Sequence, residues 1–416
     1  MECSNQIPAE VADAASSPLN AATWLSPWFL RVFPKVMLLA YPCMVTYGMS
    51  MAKGKGSGGV IGADFLDWWS ASSLLLTQSP SNVYARGPLW KIEKLVAGPS
   101  ALYTQFPYPP IYLLLIAPLG HLPYLWSLAA WSVILLSAYL SVMHAIAPDS
   151  TWLALAFPGA IVNLLCGQNG FLTLALLGTA IIYLDRWPII AGAMFGLSAY
   201  KPQFAILVFS FLFITRRWKT LLATLATISL LCGISLAVFG TATWSAFFGS
   251  TSFTRTVVLE QGASGFHKFW SVFSAARLLG FNLEAAYGLQ AMVAAVAIAL
   301  AFHVWRRSDN VRLEGAALVT ATTLATPYEL HYDMVLLALP IAWLAVEGRQ
   351  SGFLPWEKYV LLAAWFFPIF TLPLAGHGMP LGPIIPMALL AMVLLHTRRT
   401  IEHPFRVEPR VQTASH

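Results

Sequence analysis

Charge is what this sequence lacks most. Asp, Glu, Lys and Arg make up only 10% of its 416 residues, against roughly 25% in a soluble domain, and that excludes a soluble globule. The motifs of soluble nucleotide and metal chemistry are missing too: there is no DxD triplet, no Walker A loop, no HExxH and no CxxC pair. Neither a metal nor a cofactor is therefore expected. The four cysteines offer no pairing framework; Cys3 lies near the N-terminus, and Cys43, Cys166 and Cys232 sit in apolar segments as small filler. The first 23 residues lack a basic region followed by an apolar core and a cleavage site, so no cleaved leader is expected and the first span serves as signal anchor. The net charge is +6, yet the basic residues punctuate hydrophobic runs instead of sharing a solvated face with aromatics. Nucleic acid is not an expected partner.

What the chain has in abundance is apolar surface, 58% of residues, in runs of about 15 to 25, the length that crosses a hydrocarbon core. The fold class expected is an all-α polytopic membrane protein of about twelve spans: 27–50, 107–122, 124–146, 151–166, 169–184, 188–214, 219–240, 285–305, 313–327, 331–346, 357–375 and 382–397. Residues 1–26 and 398–416 would be tails around one membrane domain, 27–397. Pro109, Pro110, Pro118, Pro202, Pro340 and Pro368 predict kinks or broken helices. Arginine-rich connections at 215–219, 305–312, 347–358 and 396–399 belong on the cytoplasmic side. Counting back by parity places 51–106, 241–284 and 326–332 outside. Lys53, Lys55, Arg86, Lys91 and Lys94 lie in the first of these, a loop long enough to translocate regardless of charge.

Six constellations carry polar chemistry. In "IGADFLDWWSASSLLL", Asp64 and Asp67 are three apart and share a helix face beside Trp68 and Trp69. One reading is a short amphipathic helix at the interface with its tryptophans in the aromatic belt. The other is a carboxylate that takes a proton from a polar substrate, with tryptophan faces for sugar stacking. "YTQFPYPPIYLLL" brings Tyr108 to a rigid helix entry, and "LLCGQNGFL" puts Gln168 and Asn169 in a tight turn that either simply turns or lines a cavity. Lys201, followed by Pro202 and Gln203, stands deep in an apolar segment, where an unpaired charge is costly; either its amine snorkels, or the break at Pro202 turns it to a cavity, where it could hold a lipid-linked phosphate. Arg255, Glu260, His267 and Lys268 occupy the second outer segment, and Glu329, His331 and Asp333 the third.

The ordered set "ADFLDWWSAS", "FPYPPIYLLLIAPLGHLP", "GQNGFLTLALL", "GLSAYKPQF", "RTVVLEQG" and "LATPYELHYDMVLLALP" resembles glycosyltransferase family 87 over roughly residues 60 to 345. The resemblance implies the C-type fold of membrane glycosyltransferases, with interfacial helices and the catalytic carboxylate in the first outer loop. It implies a polyprenyl-phosphate sugar as donor and a glycan or glycolipid as acceptor, alongside membrane lipids. The carboxylate role falls on Asp64, with Asp67 as the alternative. Where the family often has a tyrosine this chain has Trp68 and Trp69, and where better-studied members show a histidine pair it has His331-Tyr332-Asp333. Donor-phosphate binding falls on Lys201, Arg255 and His331. Trp68, Trp69, Tyr108, Gln168, Asn169, Gln203, Glu260, His267, Lys268 and Asp333 would line the substrate cavity.

The expected activity is inverting transfer of mannose or a similar hexose or pentose outside a bacterial inner membrane. Two rivals remain at this stage. A secondary transporter or lipid flippase would use Lys201 and Asp333 as coupling residues, but repeat symmetry is absent. An inactive envelope-assembly protein would keep the scaffold alone.

Overall fold

Prolines decide where the apolar runs break. Pro110, Pro158, Pro188 and Pro202 each stand in the first turn of a helix, where the missing N–H has no intrahelical acceptor to lose. Of the six prolines expected to kink or break spans, Pro368 lies within a helix interior, with Pro373 five residues later. Pro110 and Pro202 begin new helices and so mark breaks.

The computed structural model describes residues 27–52, 60–101 and 103–402. Residues 1–26, most of the expected C-terminal tail, and Lys53 and Lys55 lie outside the described residues. Among those described, every regular element is helical, apart from one antiparallel bridge between Phe269 and Leu330. The first half runs α1 (Pro27–Ala52), α2 (Phe65–Thr77), α3 (Arg86–Ala97), α4 (Pro110–Ile116), α5 (Tyr124–Ile146), α6 (Thr151–Leu155), α7 (Pro158–Cys166), α8 (Gly170–Tyr183), α9 (Pro188–Leu197) and α10 (Pro202–Ile214). The second runs α11 (Trp218–Phe253), α12 (Val272–Leu278), α13 (Leu283–Arg307), α14 (Val311–Ala325), α15 (Ala338–Ser351), α16 (Glu357–Gly376) and α17 (Ile384–Glu402).

Among the described residues five helices, α5, α11, α13, α16 and α17, are long and apolar enough to cross a membrane, and α6 with α7, bent by 54°, make a sixth if taken as one span. Helices α8, α9 and α10, and α4 with the turn after it, are apolar but shorter. Length and composition thus support five or six of the twelve expected spans.

Polar contacts sort the connections between two ends of the bundle. At one end Arg217 bridges Asp185 and Glu314 at 3.1 and 2.7 Å, and Arg312 reaches Glu347 at 3.3 Å. There, too, Arg349 donates to Ser150, Arg399 to the Gly352 carbonyl, and His396 meets Glu357 at 2.7 Å. All four arginine-rich segments therefore gather at one end. At the other end Gln168 meets Asp64, Tyr124 donates to the Ile61 and Gly62 carbonyls, and the Trp270 N–H donates to Glu329 O.

This sorting corrects the parity count between the second and sixth expected spans. Ser150 and Asp185 stand at the arginine-rich end, and Gln168 at the Asp64 end, each opposite to expectation. The cause is local. Residues 107–122 do not traverse the bundle; α4 and the turn after it fold onto α2, where the Ser72 hydroxyl donates to Ala117 O and accepts from the Gly120 N–H. The expected single span 188–214 is instead a hairpin. Both α9 and α10 have an end among the arginines, and their shared tip is Lys201. A Gly192-x-x-x-Gly196 stripe lets α9 lie directly on α11: a Cβ on Gly192 would stand 2.5 Å from Ala223 Cβ and from the Thr220 carbonyl, and one on Gly196 2.5 Å from Thr227 Cβ. The most enclosed element is α14, buried almost all round from Leu313 to Leu324.

Candidate functional site

The Asp64 end is built by a glycine turn. Gly167 ends α7 in the left-handed region at φ 68°, and a β-carbon there would press within 2.8 Å of Phe65 Cβ. Its N–H and that of Gln168 return to Leu164 O and Asn163 O, closing the helix in the usual double-bond motif. The chain therefore turns hard against the start of α2, and Gln168 is delivered to Asp64. Gln168 Nε2 donates to Asp64 Oδ2 at 3.1 Å.

Asp64 occupies the N-cap position of α2 but makes no capping bond with its side chain. The residue as a whole is partly exposed. Burial pushes the carboxyl up from the ordinary aspartate range; the Gln168 bond and the Lys268 charge pull it back, and Asp333 adds to the rise. The balance describes a carboxylate that holds a proton more readily than a solvated one while remaining within reach of an incoming group.

Asp67, one turn on, is a different kind of acid. It is 6% exposed, and its neighbour from α3, Glu93, is 0% exposed. The Thr104 N–H donates weakly to Glu93 Oε2 at 3.4 Å, and among the described residues no N–H or hydroxyl donor reaches Asp67 Oδ1 or Glu93 Oε1, which leaves each of these oxygens only the other carboxyl. Burial raises both, Asp67 well above its ordinary range with Glu93 adding to it, and Glu93 to about 7. Two carboxyls in such a site cannot both ionise, so they share a proton.

The expected amphipathic surface helix is corrected here: α2 is packed inside the protein. Trp68 is 1% exposed and wedged among Tyr108, Tyr112 and Trp131, with ring centroids 5.3 to 6.1 Å away, so its faces are closed to a sugar. Trp69 is half-buried, with Nε1 donating to Leu122 O at 2.9 Å. Tyr108 continues into a stack through Tyr112 and Tyr200, at 4.5 and 4.9 Å. Asn169 Nδ2 donates to Tyr112 Oη at 3.1 Å, which ties the "GQNG" turn to the "YPPIY" entry.

Lys201, at the hairpin tip, is 4% exposed and pairs with Asp333 at 2.6 Å. Glu329 lies beside them at 1% exposure, and neither of its carboxyl oxygens has a partner. Burial and the Asp333 charge push Glu329 well up, with Lys201 opposing. The lysine expected to meet a phosphate is thus neutralised from within. His331 is driven down to about 4 by burial and stays neutral; its Nε2 lies 3.8 Å from Cys166 Sγ. It can offer a hydrogen bond but no charge. Lys268 is exposed beside it, and a small pocket lies between His267, Lys268, Trp270, His331, Met334 and Pro380.

Not every expected residue joins this assembly. Arg255 is 70% exposed and pairs loosely with Glu260 at 3.6 Å, while Glu260 accepts from Tyr287 Oη at 3.0 Å, a network of its own. Gln203 is half-buried in the first turn of α10. Glu93, Tyr112 and Tyr200 were not anticipated. Glu93 had a signal: it stands four residues after Leu89, on the buried stripe of an otherwise charged helix.

Compared with curated proteins and with solved structures, the chain has no match. The model of glycosyltransferase family 87 matches residues 106–327, a stretch that holds Tyr108, Gln168, Asn169, Lys201 and Lys268 and stops short of Glu329, His331 and Asp333. Asp64, Asp67 and Glu93 precede it. With more than half of its 416 residues covered by that match, the chain belongs to glycosyltransferase family 87 and is a multi-pass membrane glycosyltransferase.

Proposed function

We propose that the protein transfers mannose or a similar hexose or pentose, with inversion, from a polyprenyl-phosphate donor to an envelope glycan or glycolipid. The observation that carries this is the contrast between the two aspartates of α2. Asp64 is reachable, oriented by Gln168 and within the field of Lys268; Asp67 is sealed and shares a proton with Glu93. Asp64 is accordingly the base. It takes the proton of an acceptor hydroxyl as that oxygen attacks the anomeric carbon, and the bond from that carbon to the phosphate oxygen breaks. Polyprenyl phosphate leaves with the electron pair. Lys268 offsets its charge and neutral His331 donates a hydrogen bond, so the chain's own donors stabilise the leaving group. Neither a cofactor nor a metal enters this scheme.

The arginine-rich end is assigned to the cytoplasm by the positive-inside rule. The Asp64 end then faces the periplasm or exterior of a bacterial inner membrane. With α9 and α10 counted as separate short passes and 107–122 as none, twelve passes connect the two faces, in keeping with a C-type scaffold.

The test is transfer by purified full-length protein from a synthetic polyprenyl-phosphate sugar across a panel of sugars and acceptors. Asp64→Asn should lower kcat by about 10²-fold or more, the contribution of a positioned base. Unchanged transfer in that variant would sink the assignment, as would solute flux in proteoliposomes with no transfer to any acceptor.

A further inference from the structure

The turn between α10 and α11 holds two adjacent arginines in opposite situations. Arg217 is bound on both sides, by Asp185 and Glu314. Arg216 is exposed, and no partner meets its side chain among the described residues. Its φ of 57° lies in the left-handed region, at the position after a helix where the Arg216 N–H bonds Phe213 O and the Arg217 N–H bonds Leu212 O. Glycine fills that position without strain. An arginine there invites the question of what its side chain meets.

Beside it opens a groove of about 500 Å³ lined by Phe209, Ser210, Phe213, Ile214, Leu221 and Phe302. The Ser210 hydroxyl donates to Ile206 O within its own helix, so the groove presents apolar surface. It runs between α10, α11 and α13, and of the long apolar helices α11 and α13 are the least buried. Arg306 follows Phe302 by four residues and so lies one turn along the same face toward the arginine-rich end, exposed and likewise without a partner among the described residues. Trp218, 48% exposed, packs edge-on against Phe213 at 5.3 Å, as an interfacial tryptophan would.

Apolar walls facing the bilayer, two unpaired guanidinium groups and an interfacial tryptophan match one ligand chemistry, an acyl chain carrying an anionic headgroup. We propose that this groove binds an anionic phospholipid, its acyl chain between α10, α11 and α13 and its phosphate on Arg216 and Arg306. The site lies at the end opposite Asp64, so it is separate from any donor phosphate.

The experiment titrates phosphatidylglycerol into full-length protein in detergent and follows Tm and lipid retention by native mass spectrometry. Phosphatidylcholine with the same chains and free glycerol phosphate serve as controls. Phosphatidylglycerol should raise Tm saturably and remain bound, and neither control should. Arg216→Gly should keep or raise Tm without lipid, because strain is relieved, while weakening phosphatidylglycerol binding about fivefold, the factor one arginine commands against an anionic headgroup. Leu221→Trp should abolish retention with both arginines in place. Equal responses to the two lipids, an equal response to glycerol phosphate, or unchanged affinity in Arg216→Gly would overturn the proposal.

Discussion

Lys201 and Asp333 show how much a single residue's surroundings alter its chemistry. A buried pair at 2.6 Å with Glu329 alongside is held together by mutual compensation, and removing one member strands the others. Lys201→Met should therefore cost about 3–5 kcal/mol in unfolding measurements, while Lys201→Met with Asp333→Leu recovers most of it. Full recovery of transfer in the double variant would mark the pair as architecture; stability regained without transfer would point to a contact with donor. Asp64 makes a second prediction. Because burial raises its carboxyl and the base works deprotonated, kcat/KM should fall on acidification at a higher pH than an ordinary aspartate would give. Gln168→Leu removes a bond that lowers that value, so the acid limb should move further up; a downward move would contradict the assignment. Glu93 carries the corresponding stability effect. Its folded value near 7 lies above the ordinary 4.5, so its contribution is complete below 4.5 and is lost as pH rises through 7. Glu93→Gln should flatten the fall of Tm across that window and raise stability at pH 8 by about 1–3 kcal/mol.

At the level of elements, the hairpin of α9 and α10 depends on two missing β-carbons. A methyl on Gly192 meets the Thr220 carbonyl and Ala223 Cβ, and the backbone cannot yield as a side-chain tip would. Gly192→Ala should cost about 1–3 kcal/mol, and Gly196→Val more, since it meets Thr227 Cβ and the Thr224 carbonyl. Both variants should also reduce transfer, because the tip they displace carries Lys201; thermal unfolding beside the transfer assay separates the two effects. Helix α2 teaches a complementary lesson. Its two aspartates and two tryptophans have the pattern of a surface helix, yet the Ser72 hydroxyl bonds and the ring contacts of Trp68 bury it. Pattern alone could not separate the two outcomes, because a helix that packs polar groups against polar partners looks amphipathic in either setting.

Over the whole molecule, the contacts at the arginine-rich end predict sidedness residue by residue. In a background with the four cysteines replaced, Asp149→Cys and Asp185→Cys should label from the same side of the membrane as Gln350→Cys, and Ser73→Cys from the opposite side. Labelling of Asp149→Cys together with Ser73→Cys would restore the parity topology. What the sequence by itself determined is the class of environment: too little charge for a soluble core, apolar runs of membrane length, and arginines that collect at one end because they resist transfer through lipid. The ordered motifs were enough to indicate the family as well. Only the tertiary structure decided which ionisable groups are buried, paired or left exposed. Lys201 and Asp333 are 132 residues apart, Gln168 and Asp64 are 104 apart, and Asp67 finds its proton-sharing partner on another helix. Solvation and pairing set the chemistry of these groups, and both arise when distant segments pack, so no local stretch of chain contains them.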